Sequence, residues 1–385
     1  MRILIAVTRL ITGGTRTHVE LLTQQLSSMG HEVQLLHSMH TSFTKLLAVL
    51  SWWRKGKFDL ATYHRHIVVP FIVGFKAMLL AKRGFHPDII VAHDPFVVIE
   101  MSKLFPNVPI VQTIHGPLYE HALEFGYDPP LALKYLRQIE KLSFRIASAI
   151  IAVDSGQASL AVTKGAKPDK VKVVYNAIDN GNLRHLASIP LADEPDSPYI
   201  IIARRLVPKN GVSFGIEGFA ESKAAQQTHL IIAGNGGEQD NLRVLVDKLG
   251  IGDKVTFKGF VPHRQVIRLI SRAKASIIPS IPYKGVVEAT SLTVLESLSL
   301  GIPVIASAIG GIAEIDGGVN CIALVPPQDP ASIAKALDQI IIDEAPLVPQ
   351  RVRVGKERVS AKFDATVWAQ HMIEIYEEVL REANI

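Results

Sequence analysis

The stretch NAIDNGNLRHLASIPLADEPDSPYIIIARRL, residues 176–206, decides the fold because it interrupts one pattern and then starts the same pattern again. Asn176 to Pro198 is polar and rich in turn formers, whereas Tyr199 to Ala203 is the continuous apolar run of a strand buried on both faces. Upstream, short apolar runs alternate with amphipathic ones, and Ile3 to Val7, Val33 to Leu36, Ile89 to Ala92, Ile110 to Thr113, Ala149 to Val153 and Val171 to Tyr175 read as strands. Downstream the alternation resumes with Tyr199 to Ala203, Leu230 to Ala233, Lys254 to Phe257, Ala275 to Ile278, Val304 to Ser307 and Cys321 to Val325. Helical stretches separate them, such as Thr17 to Met29, with Val19, Leu22, Leu26 and Met29 on one stripe and Gly30 at its stop. The expectation is two doubly wound, Rossmann-like α/β domains over 1–176 and 199–362, a linker over 177–198, and a last helix within 363–385 that packs back toward the first domain. Such sheets bind ligands beyond the carboxyl ends of their strands, so two of them facing one another would leave a ligand cleft.

Size and composition agree. A chain of 385 residues exceeds the size at which a single core keeps growing, and 48% apolar with 20% charged residues describes packed globular structure. The net charge of +5 is spread over both halves, with no basic stripe interleaved with aromatics, so nucleic acid is not an expected partner. The lone cysteine, Cys321, excludes an internal disulfide framework and fits a reducing compartment. MRILIAV reads as a first strand with no signal peptide ahead of it, and the apolar run Ile67 to Phe75 is stopped by Lys76, well short of the ~20 residues of a membrane span. A cytoplasmic location is expected. Residues 43–57 carry Phe43, Leu46, Leu47, Leu50 and Trp53 on one stripe with Lys45, Arg54, Lys55 and Lys57 around it. That stretch reads equally as a helix lying on an anionic membrane at its inner face and as a core helix with a basic end.

Chemistry concentrates at strand ends. Gly13 and Gly14 follow the first strand and lead into a helix, where backbone N–H groups can approach an anion, although the spacing is not GxGxxG. Arg204, Arg205 and Lys209 follow Tyr199 to Ala203, placed to neutralise a diphosphate and stabilise its departure. Gly234, Gly236 and Gly237 repeat the glycine device after the next strand, and TIHG places His115 at the tip of another. HRH at 64–66 and His93–Asp94 invite a metal reading, but no carboxylate or cysteine partner recurs at ligand spacing, so no metal is expected.

In EATSLTVLESLSLGIPVIAS, residues 288–307, Thr290 and Ser291 can cap a helix that Gly301 ends and Pro303 bars from continuing. Glu288 lies in the loop before it, whereas Glu296 falls on the face of Leu292, Leu295 and Ser299, the buried one. A carboxylate there needs a basic side chain or the hydroxyl groups of a ligand.

With ITGGTRTHV, TIHG, VVYNAID, ARRLVPKNGV, AGNGGEQDNL, VTFKGFVP, AKASIIPS, GGIAEI and LVPPQDPASIAKAL alongside it, this constellation resembles the retaining glycosyltransferases of glycosyltransferase family 4 over almost the whole chain. Its most specific element is the pair of glutamates separated by seven residues, Glu288 and Glu296. The resemblance implies a GT-B fold and transfer of a sugar from a nucleotide-diphosphate donor to a hydroxyl of a glycan or lipid-linked acceptor, without a cofactor or metal. It implies that Gly13, Gly14 and Gly234 lie at the donor, that Arg205 and Lys209 hold its diphosphate, and that Val261 contacts the base. Leu292 and Thr293 would offer backbone N–H groups to the phosphates. Glu288 would meet the donor sugar, Glu296 the ribose, and His115 the sugar side of the reaction. One departure stands out: the basic residue usual in the family five places after the arginine is Asn210 here, with Lys209 one place earlier. Two alternatives are an epimerase of the same fold and a nucleotide-sugar-binding protein without turnover.

Overall fold

The computed structural model describes residues 1–8, 10, 13–38, 69–116, 118, 130–343 and 346–383, so the amphipathic stretch 43–57 and the HRH segment 64–66 lie outside the described residues. The chain divides into two compact units, one of Met1–Tyr175 with Trp368–Ile385 and one of Asn176–Val367. Every predicted strand is present within a residue or two. The boundary in the last helix, Ala365–Ala383, falls between Val367 and Trp368.

In the first unit, β1 (Arg2–Val7), β2 (Glu32–His37), β3 (Ile89–Ala92), β4 (Ile110–Ile114), β5 (Ala149–Ala152) and β6 (Val171–Val173) form one sheet in the order β2-β1-β3-β4-β5-β6. All its pairings are parallel. The chain runs outward from β1 to β2 and then resumes on the other side at β3, so the strand order reverses between β1 and β3. That reversal leaves a crevice at the carboxyl ends of the two strands. Asp94 fixes it: one carboxylate oxygen accepts from Phe96 and Val97 N–H to cap the helix Pro95–Leu104, and the other accepts from Thr8 N–H at 2.8 Å just beyond β1. The final helix adds Trp368 against His18 and an exposed Lys172–Glu378 ion pair at 2.9 Å.

The second unit repeats the plan with β7 (Tyr199–Ala203), β8 (His229–Ala233), β9 (Val255–Gly259), β10 (Ala275–Ile278), β11 (Val304–Ser307) and β12 (Ala323–Val325), ordered β12-β11-β10-β7-β8-β9 and parallel throughout. Period-two alternation explains why β7, YIIIA, is buried at every residue. Ile200 and Ile202 enter one core with Ile216, Phe219 and Leu337, whereas Tyr199, Ile201 and Ala203 enter another with Leu269 and Ile270. Each fully buried isoleucine contributes about 1.5–3 kcal/mol, which a strand wet on one face would forgo at alternate positions. Here the reversal lies between β7 and β10.

The segment 177–198 is not a linker. It holds the helix Asn180–Ser188, capped by Asp179, and belongs to the second unit. Asn180 Oδ1 accepts from Ser299 Oγ at 2.5 Å and its Nδ2 donates to Asp364 at 2.7 Å, while Arg268 binds Glu194 and the Ala187 carbonyl. Polar composition hid a packed segment because its anchors are hydrogen bonds rather than an apolar face.

Candidate functional site

At the reversal point of the second unit, the tip of β7 turns Arg204 inward. Its side chain is 8% exposed and forms an ion pair with Glu288 Oε1 at 2.9 Å. The same Nη2 donates to Asn210 Oδ1 and Ser280 Oγ, both at 2.8 Å, and Nη1 donates to Ser291 Oγ at 3.2 Å. Ser280 follows β10, so the two strands that flank the reversal both contribute. Asn210, 4% exposed, is fixed in turn by donating from Nδ2 to the Arg205 carbonyl at 2.7 Å. Two glycines allow this crowding. Gly211 has φ 59°, and a Cβ there would run into the Pro279 carbonyl; a Cβ on Gly234, at φ 153°, would run into the carbonyl of Arg204.

Glu288 is held by its own backbone: its carbonyl accepts from Gly311 N–H at 3.1 Å, at the start of the helix Gly310–Asp316. The helix Leu292–Leu300 begins four residues after Glu288 and ends at Gly301 in the left-handed conformation, φ 78°, as expected. Its start differs from the sequence expectation. Ser291 is the N-cap, but its side chain makes no capping bond and its hydroxyl accepts from Arg204 instead. The N–H groups of Leu292 and Thr293 thus begin a helix without a side-chain cap at its N-cap position, beside a buried cation. Thr293 Oγ1 donates to the Ala203 carbonyl at 3.4 Å, tying this first turn to the β7 tip.

Glu296 is buried, 7% of its side chain exposed, and its partner in the protein is basic: Oε1 accepts from His263 Nε2 at 2.7 Å. This hydrogen bond raises the His263 pKa above its ordinary value, against the opposing effect of burial. Among the described residues the hydrogen bond found for this carboxylate uses one of its two oxygens. Val261 precedes His263 by two residues and packs partly buried against the core of Ile201 and Leu269.

Arg205 is exposed, with its carbonyl bound to Asn210, and Lys209 is half-buried in a short 3-10 turn, its carbonyl accepting from Ile281 N–H. From this loop the fold brings Arg204 to Glu288.

In the first unit, Gly13 adopts φ 130° as N-cap of the helix Gly14–Ser28, with open space where a side chain would stand. That helix presents His18 to His115, ring centroids 4.6 Å apart, and to His93 at 5.3 Å. His93 Nδ1 and His115 Nε2 are joined by a hydrogen bond of 3.0 Å. Burial, reinforced by the neighbouring imidazoles, holds His93 and His115 well below the ordinary histidine pKa, so both rings are neutral at pH 7. Ligand atoms of the three histidines lie within 4.8 Å of one another, the one such grouping among the described residues able to hold a metal ion. Sequence spacing concealed it, because positions 18, 93 and 115 meet only through the β1-β3-β4 order.

The Arg204–Glu288 cluster of the second unit and the histidines of the first each sit where a doubly wound sheet receives a ligand, and known proteins share both halves. The family described as "Glycosyltransferase Family 4" matches residues 12–181, and "Glycosyl transferases group 1" matches residues 189–358. A glycogen synthase of Mycobacterium tuberculosis is 26% identical over 95% of this chain and 91% of its own length. A D-inositol 3-phosphate glycosyltransferase of Frankia alni is 25% identical over 97% and 96%. Among solved structures, Anabaena HepE in complex with UDP superposes with a TM-score of 0.74 at 18% identity, over 98% of this chain and 100% of that one. The chain is a glycosyltransferase of GT-B fold and belongs to glycosyltransferase family 4.

Proposed function

We propose that the protein is a retaining glycosyltransferase that takes a sugar from a nucleoside-diphosphate donor and passes it to a hydroxyl of a glycan or lipid-linked acceptor. The observation that carries this reading is the buried Arg204–Glu288 pair beside the helix start at Leu292, a cation, a carboxylate and free N–H groups at one strand reversal. The donor diphosphate lies against the N–H groups of Leu292 and Thr293, with Arg205 and Lys209 contributing to its charge environment. Glu296 takes the ribose hydroxyls through the oxygen that His263 leaves open, and Val261 offers its backbone to the base. Gly234 keeps the loop of Arg204 tight, which is how a residue predicted at the donor serves it.

Glu288 faces the donor sugar near the carbon that changes partners. The bond from that carbon to the diphosphate breaks as a bond to the acceptor oxygen forms on the same face, the hydroxyl's proton passing to the departing phosphate oxygen, so the anomeric configuration is retained. Most of the barrier is lowered by fixed positive charge and N–H dipoles around the leaving diphosphate, a contribution that needs no metal. Acceptor recognition falls to the first unit, where the neutral imidazole of His115 can donate to or accept from a sugar hydroxyl. A UDP-linked sugar is the donor to try first, because structural neighbours were solved with UDP and with UDP-glucose. The lipid-linked branch of the reading rests on the composition of residues 43–57, which also suggests an association with the inner membrane face. No helix of the described residues is long and apolar enough to cross a membrane.

The test is product analysis with UDP-, GDP- and ADP-sugars against a panel of glycan and lipid-linked acceptors, with EDTA present. Expected are acceptor-dependent product of retained configuration and complete loss of transfer in Glu288→Ala with nucleotide binding preserved. Sugar isomerisation without an acceptor would identify an epimerase, and binding without any turnover would identify a nucleotide-sugar-binding protein.

A further inference from the structure

Arg204 is built in a way the reading above leaves unexplained. Its Nη2 faces three acceptors within 2.9 Å, Glu288 Oε1, Asn210 Oδ1 and Ser280 Oγ, although that nitrogen carries two hydrogens. Meanwhile Nε, also buried, meets no acceptor among the described residues. Hydrogen-bonding capacity is oversubscribed at one edge of the guanidinium and unspent at another. A cation nine-tenths buried cannot shed its counterion into nothing, because an uncompensated buried charge is strongly unfavourable. Asn210 and Ser280 are neutral and hold the guanidinium in place without neutralising it, so Glu288 supplies the only carboxylate with a recorded contact to it among the described residues.

Resting on the donor reading above, we propose that Arg204 is the principal diphosphate-binding cation and that it exchanges partners. Without donor, Glu288 neutralises it; when a nucleoside diphosphate arrives, the phosphate oxygens take the guanidinium and Glu288 is released toward the donor sugar. Binding of the leaving group and delivery of the carboxylate are then one event. Nucleoside alone does not trigger it, because it brings no anion to replace Glu288. The position of Asn210 completes the device. A third formal charge there would compete with Arg204 for Glu288, whereas the Asn210 amide accepts from Nη2 and donates to the Arg205 carbonyl, keeping Arg204 in register for either partner.

The exchange makes Glu288 a competitor of the diphosphate. Isothermal titration of UDP and of uridine into the full chain and its Glu288→Gln, Arg204→Gln and double variants tests this. Glu288→Gln keeps the side chain's size and removes the competing charge, so UDP should bind about tenfold tighter, within the usual range of coupling between sites, with uridine unchanged. Arg204→Gln should bind UDP at least tenfold more weakly, and in the double variant the gain from Glu288→Gln should vanish. Arg204→Lys, which keeps the charge but loses the fork, should fall between wild type and Arg204→Gln. Unchanged or weaker UDP binding in Glu288→Gln overturns the exchange, and that variant's isosteric side chain keeps the result readable if Arg204→Gln misfolds. An undiminished gain in the double variant overturns it too, because simple repulsion between Glu288 and phosphate would then suffice. If the wild-type protein binds none of UDP, GDP or ADP, the donor reading itself fails, an outcome distinct from UDP binding that ignores Arg204.

Discussion

Lowering the pH from 7.5 to 5.5 should selectively destabilise the first unit through His93 and His115. Both rings sit with His18 at the β1-β3-β4 strand ends, and burial is the largest cause holding their pKa values well below 6.5. In the unfolded chain each takes up a proton as the pH falls through about 6.5, while the folded rings stay neutral. The sign follows: the unfolded state binds more protons, so stability present above pH 6.5 is lost progressively below it. For one imidazole neutral throughout in the fold, RT ln(1 + 10^(6.5 − pH)) gives a loss of about 1.4 kcal/mol between pH 7.5 and 5.5, and about 2.7 kcal/mol for the pair. Against a typical total of about 5–15 kcal/mol this is a large fraction. The unit has a probe in Trp368, which packs against His18, centroids 4.8 Å apart. Urea unfolding followed by tryptophan fluorescence at the two pH values, for wild type and His93→Gln/His115→Gln, reads the difference directly. Subtracting the variant cancels other groups, including Asp94, whose carboxyl is raised by burial and contributes with the opposite sign. A wild-type pH dependence equal to the variant's would mean that both rings take up protons in the fold as they do in the unfolded chain, near pH 6.5, and the burial argument for neutral imidazoles would fail.

The remaining predictions concern the second unit. Gly311→Ala should cut sugar transfer at least tenfold, about 1.4 kcal/mol of barrier, with far-UV circular dichroism unchanged; a Cβ there would come 2.6 Å from Thr290 N and push on the loop that carries Glu288. His263→Gln should weaken UDP binding about fivefold, the worth of one hydrogen bond that orients Glu296, as read by titration calorimetry. The same variant carries a pH signature: because the folded pKa of His263 is raised, the stability the pair adds is full below pH 6.5 and fades as the pH rises through the folded value, so the wild-type advantage over His263→Gln should shrink toward alkaline pH. Cys321, buried and with its thiol pushed up to about 12, should resist iodoacetamide at pH 8, where about one thiol in ten thousand is ionised, until the second unit unfolds. Rapid alkylation of the native protein would contradict that burial.

What the sequence disclosed and what it concealed divide along a physical line. The central strands were legible because a strand covered on both faces must be apolar at consecutive positions, and runs such as Ile89–Ala92 and Tyr199–Ala203 are buried at every residue. Glu296 was legible for the opposite reason, a charge on a stripe that had to be buried, and the structure places it at 6% exposure. Helix Asn180–Ser188 was not, since Asn180 and Leu183 are its buried residues and its first turn, Asn180, Gly181 and Asn182, consists of turn formers. Composition reads apolar burial well and hydrogen-bonded burial poorly.

The choice among Arg204, Arg205 and Lys209 shows the same limit at the resolution of a single residue. All three are basic, all follow β7, and one step along an extended chain reverses the side to which a side chain points. Ile200 and Ile202 alternate with Tyr199, Ile201 and Ala203 between two cores, and the chain leaves the sheet after Ala203. Which arginine then turns inward is decided by the glycines around it: Gly234 lets its strand end press on the Arg204 carbonyl, Gly236 does the same at Leu206, and Gly211 lets the turn meet Pro279. These close approaches join segments distant in sequence, and no spacing within ARRLVPKNGV encodes them. The buried amide of Asn210 is the trace they leave in the sequence, a polar side chain with no exposed surface to justify it, and it is fixed on Arg204.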